Sequence, residues 1–370
     1  MSDETKNYYP LPESRGGWRS LQEASQVQAT AGIDPGKLSL ARTWNIQFPV
    51  ASAVVIIRRG YLVAEWYENG ALPDTTFNIH SCTKSFTGTA YGILFDDGRR
   101  GSLRSDQIVD LDSLAYSHIP AGYPLTDSRK EHITFRHLLS MTSGIPGESV
   151  GIFGVQTESS VNPFEAALGR FPVKGKESRT DRWVSTLLAE PGSQWDYSDP
   201  AFAHLAPAFR NITGQEIGQF MQERVFDPIG IENLTWEMLG IDDGRMGQHT
   251  TPYSGLHISA RELARFGYLM AHQGAWDGRQ IVAPWWIELS TRNSQVSNPA
   301  YGLTWWVNTQ GFWPGVPRDA FAAMGFNTNL CCVVPSLDLI VVRIGLGPTD
   351  STEIISAPFL SAVAQAVIAE

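Results

Sequence analysis

Phe77-Asn78-Ile79-His80-Ser81-Cys82-Thr83-Lys84-Ser85-Phe86-Thr87-Gly88 places a serine three residues ahead of a lysine, at the head of an apolar run. Residues three apart on a helix share a face, so Lys84 reaches the Ser81 hydroxyl if a helix begins near Ser81. Ala90, Ile93, Leu94 and Phe95 continue the helical spacing until Asp96-Asp97-Gly98 ends it, and Gly88 and Gly92 leave room for another element to approach closely. A serine on the first turn lies at the positive end of the helix, which favours negative charge on or beside its oxygen. No acidic residue stands within four positions of Lys84. A buried lysine without a partner carboxylate tends toward the neutral amine that can act as a base. The stretch therefore reads as a nucleophile with its own base, against the plainer reading of a serine cap and a solvated lysine.

Trp195-Asp196-Tyr197-Ser198-Asp199-Pro200 follows Glu190-Pro191-Gly192-Ser193 and precedes an apolar run through Ala201, Phe202, Leu205 and Phe209. That is a turn leading into a helix. A tyrosine presented there can pass a proton between the serine and a leaving group if nearby cations favour its phenolate; taken alone, it reads equally well as a tyrosine of the core.

With these pieces the chain resembles the penicillin-recognising serine hydrolases: class C β-lactamases, DD-peptidases, carboxylesterases with a β-lactamase fold and 6-aminohexanoate-dimer hydrolases. Their hallmark is S-x-x-K, then Tyr-x-Asn or Ser-x-Asn, then K-T-G or a variant on a strand. Ser81 and Lys84 match the first element, and Tyr197-Ser198-Asp199 matches the second with Asp in place of Asn. Ile133-Thr134-Phe135-Arg136-His137-Leu138-Leu139 running on to Thr142-Ser143-Gly144-Ile145, and Gly255-Leu256-His257 running on to Leu263-Ala264-Arg265-Phe266-Gly267, are similar to two further family segments. The likeness extends from about Val50 to about Ile344, in the family's order. The third element departs from it, because Ala323-Met324-Gly325 stands at the K-T-G position and only the glycine is kept. In lactam-recognising relatives the lysine and threonine help bind the substrate's carboxylate, a task that calls for a cation. An Ala-Met pair offers none, although Arg318 just upstream is an alternative cation. The departure favours a small, less charged ester or amide.

The resemblance implies a mixed α/β (α+β) fold of the β-lactamase/transpeptidase type, an antiparallel sheet flanked by helices with an inserted, mostly helical domain. It implies acyl transfer through a covalent Ser81 intermediate, with Lys84 and Tyr197 sharing the proton and the backbone N–H groups of Ser81 and Phe326 holding the oxyanion. Asp199, His257, Trp306, Gly325 and Asn327 are expected to line the substrate pocket. A β-lactamase or D-amino-acid peptidase, an acyltransferase, and a non-catalytic binding protein on the same fold are the alternatives.

A competing serine is present. Gly147-Glu148-Ser149-Val150-Gly151 fits G-x-S-x-G, the nucleophile elbow of α/β-hydrolases. The elbow needs a strand directly before the serine and a helix directly after it, whereas Gly144-Ile145-Pro146 and Ile152-Phe153-Gly154 make this surrounding a glycine-rich loop.

The chain has 370 residues, 42% hydrophobic, and 28 Lys+Arg against 38 Asp+Glu give a formal net charge of −10. Length and composition fit one large or two intimately packed domains. Excess negative charge without basic runs speaks against nucleic acid and anionic membrane surfaces as partners. No apolar stretch approaches a transmembrane length, and Met1 to Pro10 has no signal-peptide core, so a cytoplasmic location is the expectation. Oligomeric state is open. Three cysteines, Cys82, Cys331 and Cys332, make no disulfide framework and read as buried thiols. His249 and His257 lack the spacing of a helical ligand pair, so neither a metal nor any other cofactor is expected.

Ala53 to Arg58 and Tyr61 to Tyr67 read as a hairpin turning at Arg59-Gly60; Leu330 to Val334 and Leu339 to Ile344 read as a second, joined by Pro335-Ser336-Leu337-Asp338. Ile354, Ile355, Phe359, Val363, Ala366 and Val367 give the last segment a helical period. The expected organisation is an irregular lead-in over 1–33, a discontinuous α/β sheet domain of 34–114 and 291–370, and a mostly helical domain of 115–290 with cleft loops between them. Gly147 to Asp181 reads as a long loop forming part of the cleft wall, with Phe153, Phe164 and Phe171 as anchors. Some of the 12 Trp are expected to line an apolar pocket suited to an acyl or aliphatic substrate.

Overall fold

The structure is a computed structural model that describes residues 8–103, 108–175, 181–347 and 356–368. Six strands form its main sheet: β1 (Ser52–Arg58), β2 (Tyr61–Glu68), β3 (Trp306–Val307), β4 (Phe321–Gly325), β5 (Asn329–Val334) and β6 (Leu339–Gly345). Their order across the sheet is β3-β4-β5-β6-β1-β2, and every neighbouring pair is antiparallel. The first and last parts of the chain meet where β1 pairs with β6, from Ser52↔Gly345 to Arg58↔Leu339. At the β1–β2 turn Arg59 and Gly60 take φ 52° and 73°, the two left-handed positions of a two-residue hairpin whose twist matches its strands.

The strands read as unbroken apolar runs because both faces of the sheet are covered. Alternate residues point to opposite sides. Val55, Ile57, Ala323, Cys331, Val333, Ile340 and Val342 join one core with the helices α2 (Thr83–Arg99) and α3 (Ala260–Ala271). Val54, Ile56, Ala322, Leu330, Cys332 and Val341 join a second core under α1 (Pro35–Asn45) and α4 (Ser356–Gln365). Each fully buried aliphatic side chain contributes about 1.5–3 kcal/mol. All three cysteines are buried and free.

α2 is buried almost throughout, and its buried hydroxyls are satisfied, Ser85 donating to the Thr304 carbonyl and Thr87 to the Pro252 carbonyl at 2.7 Å each. Its glycines are contact points: a Cβ on Gly88 would overlap the Thr304 side chain, and one on Gly92 the Trp286 indole. α3 is capped by Ser259, whose Oγ accepts from the Glu262 N–H at 3.4 Å. Gly267 lets α3 press on the sheet, where a Cβ would stand 2.8 Å from Cys331 Sγ and from Ile340 Cγ2. Among the described residues, no helix is long and apolar enough to cross a membrane.

Three expectations are corrected. The lead-in is not irregular throughout, since Ala24–Ala31 is a helix that buries Val27 and Ala31 in the second core. The final helix ends at Gln365, short of Ala366 and Val367, while Ile354 and Ile355 lie outside the described residues. The segment from Gly147 holds a helix at Pro163–Ala167, capped by Asn162. Phe164 is anchored in the core there, whereas Phe171 is 43% exposed and anchors nothing.

Lys130 holds part of this wall. It is fully buried, and its ammonium donates to Thr126 Oγ1 at 2.8 Å and to the Leu168 and Val184 carbonyls at 3.0 Å each. Burial lowers it to about 8 from the ordinary lysine value, with Asp127 opposing. Three acceptor oxygens from separate parts of the chain thus converge on one cation and tie the wall together.

Candidate active site

A short strand, Phe77–Asn78, carries the chain into the site by pairing with Leu256–Ile258, with Asn78 opposite His257. His80 then takes a left-handed φ of 48°, and a single 3₁₀ turn, His80–Cys82, precedes α2. The His80 N–H donates to Asn78 Oδ1 at 2.8 Å, which fixes the turn. Ser81 therefore stands just ahead of the helix and Lys84 on its first turn. Their side chains meet as expected, with Lys84 Nζ donating to Ser81 Oγ at 2.9 Å.

Lys84 is 1% exposed and has two more partners. It donates to the Tyr253 carbonyl at 3.1 Å and lies 2.7 Å from Asp199 Oδ1. Asp199 comes from the second motif. Ser198 caps the helix Asp199–Ala203 by accepting the Ala201 N–H at 3.0 Å and donates its own hydroxyl to the Pro146 carbonyl, also at 3.0 Å. That cap brings Tyr197 and Asp199 to the lysine. Lys84 Nζ lies 4.7 Å from the Tyr197 ring centroid, and the Ser81 hydroxyl is near enough to the Tyr197 phenol to act on its titration.

These contacts revise two expectations. Lys84 is not without a carboxylate, because Asp199, far away in sequence, supplies one. Nor do cations favour a Tyr197 phenolate. Burial pushes the phenol well above its ordinary value and the Asp199 carboxylate pushes it further, with the Ser81 hydroxyl opposing. Tyr197 is thus a neutral phenol in the resting site. Burial likewise raises Tyr253 and Tyr301, and it lowers His80.

β4 closes the other side. Gly325 passes so near the Ser81 turn that a Cβ there would stand 3.0 Å from the Ser81 nitrogen and overlap the Ile79 carbonyl. This close approach is a physical reason for glycine at a position whose two preceding residues, Ala323 and Met324, carry no charge. Phe326 follows, 42% exposed, with its ring edge-on to His80. Asn327 and Thr328 turn the chain with φ 62° and 59°, and Asn327 Nδ2 lies 3.3 Å from His80 Nε2. Buried Arg343 braces the turn by donating to the Asn327 carbonyl at 2.6 Å and to Leu346 O at 2.9 Å. Arg318 is exposed.

Aromatic rings form the facing wall. Trp306 stacks on Tyr197 with centroids 6.3 Å apart and 19° between planes, and Trp195 and Tyr301 meet both edge-on or tilted. His257 pairs with Glu237 at 2.7 Å on a partly exposed lip. Among the described residues no three His, Cys, Asp or Glu side chains converge as a metal ion requires.

Two groups escaped the sequence reading. Tyr253 contributes a backbone carbonyl, which carries no residue-type signal, although its place just ahead of the matched Gly255 segment pointed toward it. Gly154 donates its N–H to Asp199 Oδ2 at 2.8 Å, from a loop with no motif. The elbow serine is occupied elsewhere. Ser149 sits in a 3₁₀ turn and donates its hydroxyl to Asp196 Oδ2 at 2.7 Å, while Asp196 also accepts the N–H groups of Gly147 and Ser149. Ser149 thus anchors a loop.

Gly325→Ala tests the close approach. The added methyl must push β4 off the Ser81 turn, and misplacement of about 1 Å costs roughly 10²-fold in rate. Steady-state kinetics on a p-nitrophenyl ester should show that loss chiefly in kcat while circular dichroism stays native. Wild-type turnover would mean that the spacing has no bearing on the chemistry.

Comparison with known proteins follows the same lines. A family model described as Beta-lactamase matches residues 40–344. The chain is 26% identical over 172 residues to Protein flp of Staphylococcus aureus (strain MW2), a match covering 45% of this chain and 29% of that protein. It is 22% identical over 319 residues to the 6-aminohexanoate-dimer hydrolase of Paenarthrobacter ureafaciens, covering 81% of this chain and 74% of that one. Among solved structures, EstCE1, a hydrolase with promiscuous acyltransferase activity, superposes with a TM-score of 0.68 at 17% identity, covering 89% of this chain and 98% of that one.

Proposed function

The chain belongs to the beta-lactamase family, whose serine hydrolases include esterases and amidases, and on that footing we propose that it cleaves small uncharged esters or amides through an acyl-Ser81 intermediate. The observation that carries this reading is the Ser81 hydroxyl 2.9 Å from Lys84 Nζ, with the Tyr197 ring 4.7 Å from the same ammonium. Ser81 Oγ attacks the carbonyl carbon while its proton passes to Lys84. The carbonyl oxygen gains negative charge, received by the N–H groups of Ser81 and Phe326. Tyr197, neutral at rest, delivers a proton to the leaving oxygen or nitrogen as that bond breaks and is reprotonated from Lys84. Water then attacks the acyl-enzyme by the same route in reverse.

Substrate class follows from the walls of the site. Ala323 and Met324 leave β4 without a charged anchor for a carboxylate, an interaction contributing about 1.5–3 kcal/mol where a charge-assisted hydrogen bond forms. Trp195 and Trp306, both partly exposed, suit an apolar acyl group. A short-chain p-nitrophenyl ester should therefore be turned over with a kcat/KM at least about tenfold above that of a chromogenic cephalosporin, since 1.4 kcal/mol is a factor of ten. Both assays take Ser81→Ala as blank. Preference for the cephalosporin would reverse the substrate assignment, and faster product formation on adding an alcohol or amine would identify an acyltransferase.

A further inference from the structure

We propose that Asp199 is a positioning residue whose carboxylate, held from behind by the Gly154 N–H, keeps Lys84 as the ammonium in the resting site and so sets the pH above which Lys84 can take the Ser81 proton. The inference rests on the reading of Lys84 as the base for Ser81. Asp199 Oδ1 is 2.7 Å from Lys84 Nζ, and both side chains are largely removed from water. This oxygen is buried without a hydrogen bond, so the charge contact with the ammonium is what compensates it among the described residues. The second oxygen is occupied by Gly154 N–H at 2.8 Å, which prevents the carboxylate from turning away. A buried ammonium needs a counter-charge, and the asparagine expected at this place in relatives carries none.

The other titratable groups around Lys84 do not substitute for Asp199. Tyr197, Tyr253 and Tyr301 are phenols raised by burial and therefore neutral. Cys82, on the same turn, is a fully buried thiol held well above its ordinary value. His80 is lowered by burial and brings no negative charge. The Tyr253 carbonyl orients the ammonium without neutralising it. Among the described residues, Asp199 is the one carboxylate in direct contact with Lys84.

The proton balance is then complete. Above the limiting pH, Lys84 has released one proton to solvent and is an amine. It takes the Ser81 proton as the Oγ–carbon bond forms, and through Tyr197 the proton reaches the leaving atom as its bond to carbon breaks, which restores the amine.

The test is the pH dependence of kcat/KM for an uncharged p-nitrophenyl ester with wild type, Asp199→Asn and Asp199→Glu. An opposite charge in contact moves a titration by about one to three pH units. The acidic limb of Asp199→Asn should therefore lie about one to three units below that of wild type, because a lysine without its counter-charge loses its proton sooner. Asp199→Glu should restore the wild-type limb, which a purely steric role would not require. Asp199→Ala removes the same charge and must move the limb the same way, so it decides the matter if the Asn variant does not fold. A limb unmoved in the charge-free variant overturns the inference. Labelling with a fluorophosphonate, mapped by peptide mass spectrometry, separates the two ideas. Label absent from Ser81 in wild type sinks the parent reading, whereas label on Ser81 with an unmoved limb sinks only the role of Asp199.

Discussion

Ser81→Ala is expected to abolish turnover, while Ser149→Ala leaves it largely intact. Without the nucleophile no acyl-enzyme forms, and the remaining oxyanion donors and pocket give only background rates, a loss of about 10⁴-fold or more. Ser149 offers its hydroxyl to Asp196 in a loop anchor. Its removal deletes one exposed hydrogen bond of about 1 kcal/mol, far from enough to unfold a domain. The measurement is hydrolysis of a p-nitrophenyl ester by both variants beside wild type, with thermal melts to establish folding. Sustained activity in Ser81→Ala would remove the whole mechanism, and a folded but inactive Ser149→Ala would make the elbow serine the nucleophile.

Lys84→Ala and Tyr197→Phe should each slow acylation by roughly 10²–10⁴-fold, the range for a general acid–base group. The two losses should not multiply. In the proposed mechanism Lys84 and Tyr197 act on one proton leaving one oxygen, and groups that work as a unit are strongly non-additive. A double variant about as slow as the worse single variant is the expected result of pre-steady-state acylation measurements. A double variant slowed by the product of both factors would mean two independent devices. Lys84→Ala should also cost stability, since it leaves the Asp199 carboxylate buried without its partner, a loss of about 3–5 kcal/mol for a broken buried pair. Rates are therefore compared only at temperatures where the melt shows a folded protein.

The two hairpins were legible because the sheet is covered on both faces. Val54 and Val55, or Cys331 and Cys332, enter opposite cores, so neighbouring residues are apolar alike and each strand stands out as a run bounded by turn residues. The nucleophile turn was legible for a different reason: Ser81 and Lys84 are close in the chain and meet through local geometry. What joins distant segments was not. The Lys84–Asp199 contact depends on how the Ser198-capped helix is set against α2, which neighbours in sequence do not reveal, so Lys84 read as uncompensated. The Tyr253 carbonyl and the Gly154 N–H are main-chain groups that any residue could present. Helix Ala24–Ala31 was missed because its apolar stripe consists of little more than Val27 and Ala31.

The pairing of β1 with β6 governs how this protein is made. Ser52 and Gly345 stand side by side in the sheet, so a ribosome must deliver every residue between them before the central strands can zip together. Until then the β1–β2 hairpin emerges with an unpaired, apolar edge, the kind of nascent surface that chaperones cover and that otherwise self-associates. Contacts of such long sequence separation fold slowly. A message truncated before the codons for Leu339–Gly345 should yield insoluble chains rather than a weakened enzyme.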